Sequence, residues 1–266
     1  MTNPTPESSM TKPITFPSIA LVTGSSRGLG KSTALHLAQQ GHDVVITYKT
    51  QQADAVAVVA QIQALGRKAL ALSLDVADSA SFAAFGVQLR QSLKAQWGRE
   101  SFNVLVNNAG AGHHAPMMET TAAQFDDLVN MHFKGVFFLT QTLLPLMADG
   151  GRIVNVSSGL TRFALPGYSA YAAMKGAVEV LTRYMAKELG PRGIIVNTVA
   201  PGAIATDFGG GAVRDNAQLN AFVASQTALG RVGEADDIGA MVAALVGEGN
   251  RWVNAQRIEV SGGMFV

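Results

Sequence analysis

The amino-acid sequence predicts an α/β fold in which a doubly wound, seven-stranded, mostly parallel sheet carries helices on both faces. From residue 14 onward, short runs rich in Val and Ile alternate with longer segments of helical periodicity. The short runs are almost wholly apolar, as strands are when both faces of a parallel sheet are buried. Regular alternation of strand and helix also predicts right-handed crossovers between parallel strands.

Each predicted strand is short, apolar and rich in β-branched residues. In chain order the strands are Ile19–Val22, Asp43–Thr47, Ala69–Ser73, Val104–Val106, Ile153–Val156, Ile194–Val199 and Ile258–Val260. The predicted helices are Leu29–Gln40, Gln51–Leu65, Ser81–Gln96, Thr121–Met147, Tyr168–Leu189 and Ala235–Val246. No linker rich in Pro, Gly or Ser divides this series. Residues 14–266 are therefore predicted to form one domain, and the polar residues 1–13 a flexible arm.

The composition excludes several kinds of site. There is no Cys among the 266 residues, which excludes disulfides, thiolate metal sites and a cysteine nucleophile. No spacing of His, Asp and Glu indicates a metal. The net charge of +1 gives no electrostatic reason to bind nucleic acid. Gly supplies 28 residues, while charged residues make up only 15%, against a usual share of about 25%. The low charge indicates surface that is buried in subunit contacts.

No segment has the pattern of a membrane span or a secretory signal. The longest apolar stretches fall short of the ~20 residues that a membrane helix needs. Residues 1–13 contain three Pro and no apolar core, unlike a signal peptide. We expect a soluble, cytoplasmic protein without a membrane partner.

A glycine-rich turn, TGSSRGLG at residues 23–30, joins the first strand to the first helix. Its glycines, Gly24, Gly28 and Gly30, let the backbone approach a pyrophosphate, whose charge is favourable at a helix N-terminus. The spacing differs from G-x-G-x-x-G, and Ser25 occupies the place of the first glycine of an ATP-binding P-loop. The turn indicates a dinucleotide site, with a purely structural turn as the alternative.

Further motifs follow in order, and with the turn they resemble the short-chain dehydrogenase/reductase family over residues 16–266. They are Asp75-Val76 after the third strand, N-N-A-G at 107–110, Y-x-x-x-K at 171–175, Pro201-Gly202 after the sixth strand, and Ser-Gly-Gly near the end. Each lies at the carboxyl end of a strand or opens the next helix, where open α/β sheets bind ligands. The resemblance implies a Rossmann-type fold, a nicotinamide cofactor and a homotetramer.

The residues that the resemblance assigns to the cofactor lie along this edge of the sheet. They are Gly24, Ser26, Arg27, Gly28, Leu29, Gly30, Tyr48, Lys49, Thr50, Asp75, Val76, Asn108, Ala109, Gly110, Tyr171, Lys175, Pro201, Gly202, Ile204 and Thr206. The second strand ends without the carboxylate that binds a ribose 2′-hydroxyl in NAD enzymes. Arg27 and Lys49 instead offer charge for a 2′-phosphate. We therefore predict NADP(H) in preference to NAD(H), with solvated surface charges as the alternative interpretation.

Tyr171 and Lys175 are spaced i and i+4 on a predicted helix, so both side chains lie on one face. A free phenol has a pKa of ~10, and a neighbouring ammonium lowers it. The resemblance implies that Tyr171 exchanges a proton with the substrate oxygen, while Lys175 lowers the tyrosine pKa and holds the nicotinamide ribose. It also implies that Ser158, 13 residues before Tyr171, polarises the carbonyl. Ser157 is then a turn residue.

The sequence departs from the family where an Asn normally stands three residues before a Gly. In NMHFKG, residues 130–135, His132 occupies that place and Asn130 lies about 200° away around the helix. We assign His132 to the catalytic set, where an imidazole with a pKa near ~6.5 would add pH dependence. A register that uses Asn130, or a merely packed His132, is the alternative.

The predicted substrate pocket is mostly apolar. Its candidates are Leu160, Phe163, Tyr168 and Phe208, with Met117 and Met118, while His113 and His114 border the cleft. Residues 207–216 contain three consecutive glycines and are predicted to form a mobile lid. The resemblance implies NADP(H)-dependent interconversion of a carbonyl and a secondary alcohol, on a hydrophobic or 3-oxoacyl substrate.

Two other functions stay open on the sequence. A redox sensor would bind NADP without turning over a substrate. An enoyl reductase is the second alternative, because Tyr168 lies seven residues before Lys175.

Overall fold

The computed structural model describes residues 18–266, so the arm expected at residues 1–13 lies outside the described residues. Seven strands form one sheet in the order β3-β2-β1-β4-β5-β6-β7. They are β1 (Ile19–Val22), β2 (Asp43–Tyr48), β3 (Ala69–Ser73), β4 (Phe102–Asn107), β5 (Met147–Val156), β6 (Ile195–Pro201) and β7 (Arg257–Val260). Every pairing is parallel, which is stricter than the mostly parallel sheet predicted.

The helices cover both faces of the sheet. They are α1 (Gly28–Gln39), α2 (Gln52–Ala64), α3 (Phe82–Trp97), α4 (Ala122–Leu128), α5 (Gly135–Leu143), α6 (Ser169–Leu189), α7 (Ala212–Asp215), α8 (Ala217–Ser225) and α9 (Ala235–Val246). Side chains alternate between the faces of a strand. Accordingly, Ala20 and Val22 pack with α1, α2 and α9, while Ile19 and Leu21 pack with α3, α5 and α6. The predicted doubly wound arrangement is confirmed.

The single helix predicted over Thr121–Met147 is divided in its middle and ends before Met147. A π-helical turn, Val129–Lys134, separates α4 from α5, and a 3-10 turn at Leu144–Leu146 leads into β5 at Met147. Pro145 explains the end of the helix, because proline lacks the N–H that would continue it.

The segment predicted as a lid, residues 207–216, contains short helical turns. Residues 208–211 form a 3-10 turn with Gly209 and Gly210 at φ of 61° and 74°, a conformation that favours glycine. The helices α7 and α8 follow, and α8 was not predicted. The Asn216 side chain caps it by accepting hydrogen bonds from the amides of Gln218 and Leu219. The sequence does carry a signal for the start of α8, because Asn216 directly precedes a partly apolar run.

Among residues 18–266, no helix is long and apolar enough to cross a membrane. The same residues contain no group of three or more His, Cys, Asp or Glu side chains that could hold a metal ion.

Candidate active site

The glycine-rich turn lies where the strand order reverses between β1 and β4, the position at which open α/β sheets bind ligands. Gly24 and Gly28 have φ of 61° and 55°. A Cβ at Gly30 would overlap the Gly24 carbonyl oxygen and the Asn108 amide, so only glycine allows this close approach. A Cβ at Gly28 would instead meet only Thr206, 3.9 Å away. The N-terminus of α1 is thus left without a side chain over it.

The N-N-A-G motif fastens the end of β4 to this turn. The Asn108 side chain donates to the carbonyl oxygens of Thr23 (2.9 Å) and Gly24 (3.2 Å), and the Ala109 amide donates to the Thr23 hydroxyl (3.0 Å). Asn107 donates to the buried Asn155 side chain at 2.8 Å. The motif therefore holds the neighbouring strand ends in register, and its Gly110 lies against the His132 ring.

The structure places the remaining predicted cofactor residues at the same carboxyl edge of the sheet. They are Ser26, Leu29, Tyr48, Thr50, Val76, Pro201, Gly202, Ile204 and Thr206. Gly202 contacts Ser261 so closely that a Cβ there would lie 2.9 Å from it.

Ser158, Tyr171 and Lys175 come together at the ends of β5 and α6. Tyr171 and Lys175 are both buried, and the Lys175 ammonium donates to the Val156 carbonyl oxygen at 2.8 Å. Its Nζ lies 5.6 Å from the centre of the Tyr171 ring. The Ser158 side chain lies close enough to the Tyr171 phenol to lower its pKa. The structure therefore assembles the three side chains that the sequence predicts.

His132 is the residue of the 130–135 segment that faces this centre. It is 1% exposed, and its ring meets the Tyr171 ring edge-on with 5.1 Å between centroids. Nε2 donates to the Ala111 carbonyl oxygen at 2.6 Å, because a carbonyl can only accept. The register that uses His132 is the one that the geometry supports. A Cβ at Gly135 would overlap the Val76 carbonyl oxygen, which explains the glycine three residues later.

Aromatic side chains enclose the space in front of Tyr171. The Phe208 ring lies 5.8 Å from the Tyr171 ring and covers Gly112. Tyr168 meets His114 edge-on at 5.0 Å. The predictions for Tyr168 and Phe208 thus agree with their placement.

Four other pocket candidates lie away from the space in front of Tyr171 or only at its border, and their role stays a prediction. Phe163 packs on Phe265 at 4.8 Å, in a cluster with Val223, Val232 and Met264, because the C-terminal residues fold back over its turn. Met117 and Met118 are 77% and 99% exposed and line no enclosed space. Leu160 is half-buried, and its amide donates to the Ser158 hydroxyl at 3.2 Å.

Comparison with known proteins identifies the family. Residues 24–265 match the family model described as enoyl-(acyl carrier protein) reductase. The 3-oxoacyl-[acyl-carrier-protein] reductase FabG of Staphylococcus aureus is 38% identical over 249 residues, which cover 93% of this chain and 98% of that protein. The chain belongs to the short-chain dehydrogenase/reductase family.

Two solved ketoreductase structures are similar over nearly the whole chain. LugOII, a promiscuous reductase that catalyses keto-reduction at C1 during lugdunomycin biosynthesis, superposes with a TM-score of 0.89 and 39% identity, covering 94% of this chain and 98% of its own. The angucycline C-6 ketoreductase LanV with bound NADP gives a TM-score of 0.89 and 35% identity, covering 93% and 95%. This short-chain dehydrogenase/reductase is an NADP(H)-dependent enzyme acting on C=O and CH–OH groups. A sensor without turnover is not supported.

The two basic residues predicted for the 2′-phosphate are paired with carboxylates. Lys49 Nζ lies 2.7 Å from Asp75 Oδ2, and Arg27 Nη1 lies 3.7 Å from Asp207 Oδ2. Both basic side chains are about 60% exposed, so a phosphate can reach them without opening the core. Exposed ion pairs are worth at most about 1 kcal/mol. The uncovered α1 N-terminus and these two cations fit NADP(H), which supplies a hydride when bound.

Burial, rather than the neighbouring ammonium, dominates the acid–base properties of this short-chain dehydrogenase/reductase. It raises the pKa of the Tyr171 phenol, against a smaller lowering by the Ser158 side chain. Burial also lowers the pKa of Lys175 to about 8. Burial thus outweighs the lowering of the Tyr171 pKa that the sequence predicts from Lys175. At neutral pH Tyr171 is a neutral phenol, which is the protonation state that a proton donor needs.

The prediction that His132 titrates near its ordinary pKa of ~6.5 and adds pH dependence there is wrong. Burial and then the Lys175 ammonium lower the pKa of His132 to about 3, against a smaller opposing effect of the hydrogen bond to Ala111. The imidazole is neutral at physiological pH. Its Nδ1 atom is buried and has no hydrogen-bond partner among the described residues.

One acidic residue was missed by sequence reasoning. Glu179 lies on α6 one turn after Lys175, and it accepts a hydrogen bond from Ser157 at 2.7 Å. Ser157 is thus more than the turn residue that the sequence predicts, because its hydroxyl is buried and bound to a carboxylate. The sequence carried one signal for this residue: Glu179 lies four residues after Lys175, on the same face of the predicted helix.

Proposed function

We propose that this enzyme reduces the ketone of a hydrophobic acyl or aromatic substrate, with NADPH as the hydride donor and Tyr171 as the proton donor. The observation that carries the proposal is a buried, neutral Tyr171 phenol, with the Ser158 side chain near it and the Phe208 ring in front of it. Phe208, Tyr168 and His114 offer apolar surface and edge-on ring contacts to an unsaturated or acyl chain. Similarity to a 3-oxoacyl reductase and to angucycline ketoreductases agrees with this substrate class.

The side chains divide the work of carbonyl reduction. The Ser158 hydroxyl donates a hydrogen bond to the carbonyl oxygen and orients it. As a hydride reaches the carbonyl carbon, the Tyr171 phenol gives its proton to the same oxygen, which leaves a neutral secondary alcohol. Lys175 lies behind Tyr171, where its positive charge stabilises the phenolate that remains.

NADPH oxidation should be followed with a hydrophobic ketone, a 3-oxoacyl thioester and an enoyl thioester. We expect turnover of the ketones, and we expect Tyr171→Phe to lower kcat by roughly 10²- to 10⁴-fold, as the loss of a general acid does. The matched variant Tyr168→Phe removes a phenol from the pocket wall and should retain most of the kcat. Enoyl reduction that survives Tyr171→Phe but is lost in Tyr168→Phe would establish the enoyl reductase alternative instead.

The preference for NADP(H) is proposed to depend on Arg27 and Lys49. Arg27→Ala should raise the Kd for NADPH by about tenfold, since a charge-assisted hydrogen bond is lost, and leave that for NADH unchanged. The Kd values can be measured by cofactor fluorescence. Arg231→Ala, which removes an ion pair with Asp237 at the start of α9, is the control and should change neither Kd. An equal loss for both cofactors in Arg27→Ala would contradict the proposal.

We also propose a homotetramer in the cytoplasm. Large apolar side chains are exposed near the C-terminal strand, namely Leu229 (71%), Trp252 (95%) and Val266 (93%), and they support burial against other copies. Light scattering tests the assembly, and a monodisperse monomer would contradict it. The cytoplasmic location stays a prediction from the sequence, which cell fractionation tests.

A further inference from the structure

A single carboxylate oxygen of Glu179 gathers three hydrogen bonds beside the catalytic centre. Its Oε1 accepts from the Ser157 hydroxyl at 2.7 Å, the Thr161 hydroxyl at 2.7 Å and the Arg257 Nε at 2.8 Å. The Glu179 side chain is only 14% exposed, so the charge depends on these donors rather than on water. The donors come from the end of β5, the turn that follows it, and β7.

The three donors bracket Ser158. Ser157 precedes it, while the Thr161 hydroxyl also lies 2.9 Å from the Ser158 carbonyl oxygen. An Arg257 Nη atom lies 3.4 Å from that same oxygen and 3.1 Å from the Thr161 hydroxyl. Both sides of the Ser158 backbone are therefore fastened to one carboxylate.

The orientation of the Ser158 hydroxyl depends on this backbone. Ser158 has an extended conformation, with φ of −159° and ψ of 150°, and it caps the 3-10 turn Gly159–Thr161. Its hydroxyl oxygen accepts from the Leu160 amide at 3.2 Å, which leaves the hydroxyl hydrogen free to point at a substrate oxygen. A shift of the turn would move this hydroxyl with it.

The same carboxylate belongs to the helix that carries Tyr171 and Lys175. Because α6 is continuous from residue 169 to 189, a contact at Glu179 fixes the turn relative to Tyr171. Arg257 is held in turn by Glu259, whose Oε2 accepts from its Nη1 at 2.9 Å. Glu259 also pairs with Arg162 at 2.7 Å. Each charge in this row of four side chains therefore lies beside a charge of opposite sign.

We propose that Glu179 is a positioning residue of the reaction: with Arg257, Ser157 and Thr161, it fixes the Ser158 hydroxyl relative to the Tyr171 phenol. The inference rests on the proposed roles of Ser158 and Tyr171. It does not assign Glu179 any contact with the substrate or the cofactor. Its effect should therefore appear in kcat and leave cofactor binding unchanged.

The first test measures kcat, KM, the NADPH Kd and the Tm of Glu179→Ala and Glu179→Gln. A misplaced hydroxyl should lower kcat of Glu179→Ala by about 10- to 100-fold, with the NADPH Kd within about twofold of the unchanged enzyme. Glu179→Gln should recover most of the kcat, because its amide oxygen still accepts from both hydroxyls. A kcat of Glu179→Ala within twofold of the unchanged enzyme would refute the proposal. So would an equal loss of kcat and NADPH affinity.

A matched control separates the loss of Ser158 positioning from the general loss of stability that follows when a buried ion pair is removed. Arg67 pairs with the buried Asp43 at 2.8 Å, at the opposite edge of the sheet. Arg67→Ala should lower the Tm at least as much as Glu179→Ala does, yet keep kcat within about twofold. A loss of kcat in Arg67→Ala as large as that in Glu179→Ala would overturn the proposal.

The second test is a double-mutant cycle with Ser158→Ala. If Glu179 acts through the Ser158 hydroxyl, Glu179→Ala should lower kcat little further once that hydroxyl is gone. A full additional loss would show a general structural effect and contradict the proposal. If Glu179→Ala does not fold, Thr161→Val replaces it in the cycle, with an expected kcat loss of about three- to tenfold. Unchanged activity in Tyr171→Phe would instead refute the proposed function itself, whatever the result for Glu179.

Discussion

Replacement of Lys175 by Met is expected to abolish turnover and, at neutral pH, to stabilise the fold. Lys175 is 5% exposed, and burial lowers its pKa to about 8, from an ordinary value of 10.5. Its only protein acceptor among the described residues is the Val156 carbonyl oxygen. The ammonium is therefore held in the folded enzyme at a cost in stability, which its catalytic role requires.

The size of this cost follows from the pKa change. A drop from 10.5 to about 8 corresponds to roughly 3 kcal/mol, at ~1.4 kcal/mol per pKa unit. Met fills a similar volume without the charge, but it loses the hydrogen bond to Val156, worth about 1.5 kcal/mol for a charged donor. The net expectation is a gain of about 1 to 2 kcal/mol at pH 7, or a Tm higher by roughly 3 to 6 °C.

Denaturant unfolding of both proteins at pH 7 and at pH 10 measures the effect. Between pH 8 and about 10.5 the folded wild-type enzyme binds fewer protons at Lys175 than the unfolded chain does, so its free energy of unfolding rises with pH. The advantage of Lys175→Met should therefore shrink as the pH rises through this window. Lys187→Met, at an exposed position of the same helix, is the control and should change stability by less than about 0.5 kcal/mol. A Lys175→Met enzyme that is less stable at pH 7, or an advantage that does not fall with pH, would refute the reasoning.

Three further predictions concern neighbouring positions. Because burial lowers the pKa of His132 to about 3, the free energy of unfolding should fall as the pH drops from 6.5 toward 3, and His132→Asn should reduce this fall in acid-unfolding curves. Gly135→Ala should lower the free energy of unfolding by about 1 to 3 kcal/mol in denaturant unfolding, because its Cβ would overlap the Val76 carbonyl oxygen. Gly176→Ala on α6 is the control: a Cβ there meets nothing within 4 Å, so this substitution should be neutral or stabilising. Phe208→Ala should raise KM for a hydrophobic ketone several-fold and leave the NADPH Kd unchanged. An unchanged KM would contradict a contact between Phe208 and the substrate.

Local patterns were sufficient for most of the fold. The bounds of β1, β3 and α9 agree with the sequence prediction residue for residue, because a buried β-branched run and a helical stripe are properties of neighbouring residues. The prediction failed at the end of the apolar run 143–147, where Pro145 ends the helix and Met147 begins β5. Apolar residues alone do not distinguish a buried strand from a buried helix.

The sequence by itself determined the doubly wound sheet and the glycine-rich turn, since these follow from local patterns. Through its resemblance to the family it also indicated Ser158, Tyr171 and Lys175. Only the tertiary structure decided their chemical state. The low pKa of His132 and the neutral Tyr171 follow from burial by elements far apart in the chain. Glu179 and Arg257 meet across 78 residues, so no local pattern could show that they fasten the Ser158 turn. Desolvation and long-range hydrogen bonds depend on what surrounds a side chain, and that is fixed only when the sheet and its helices have packed.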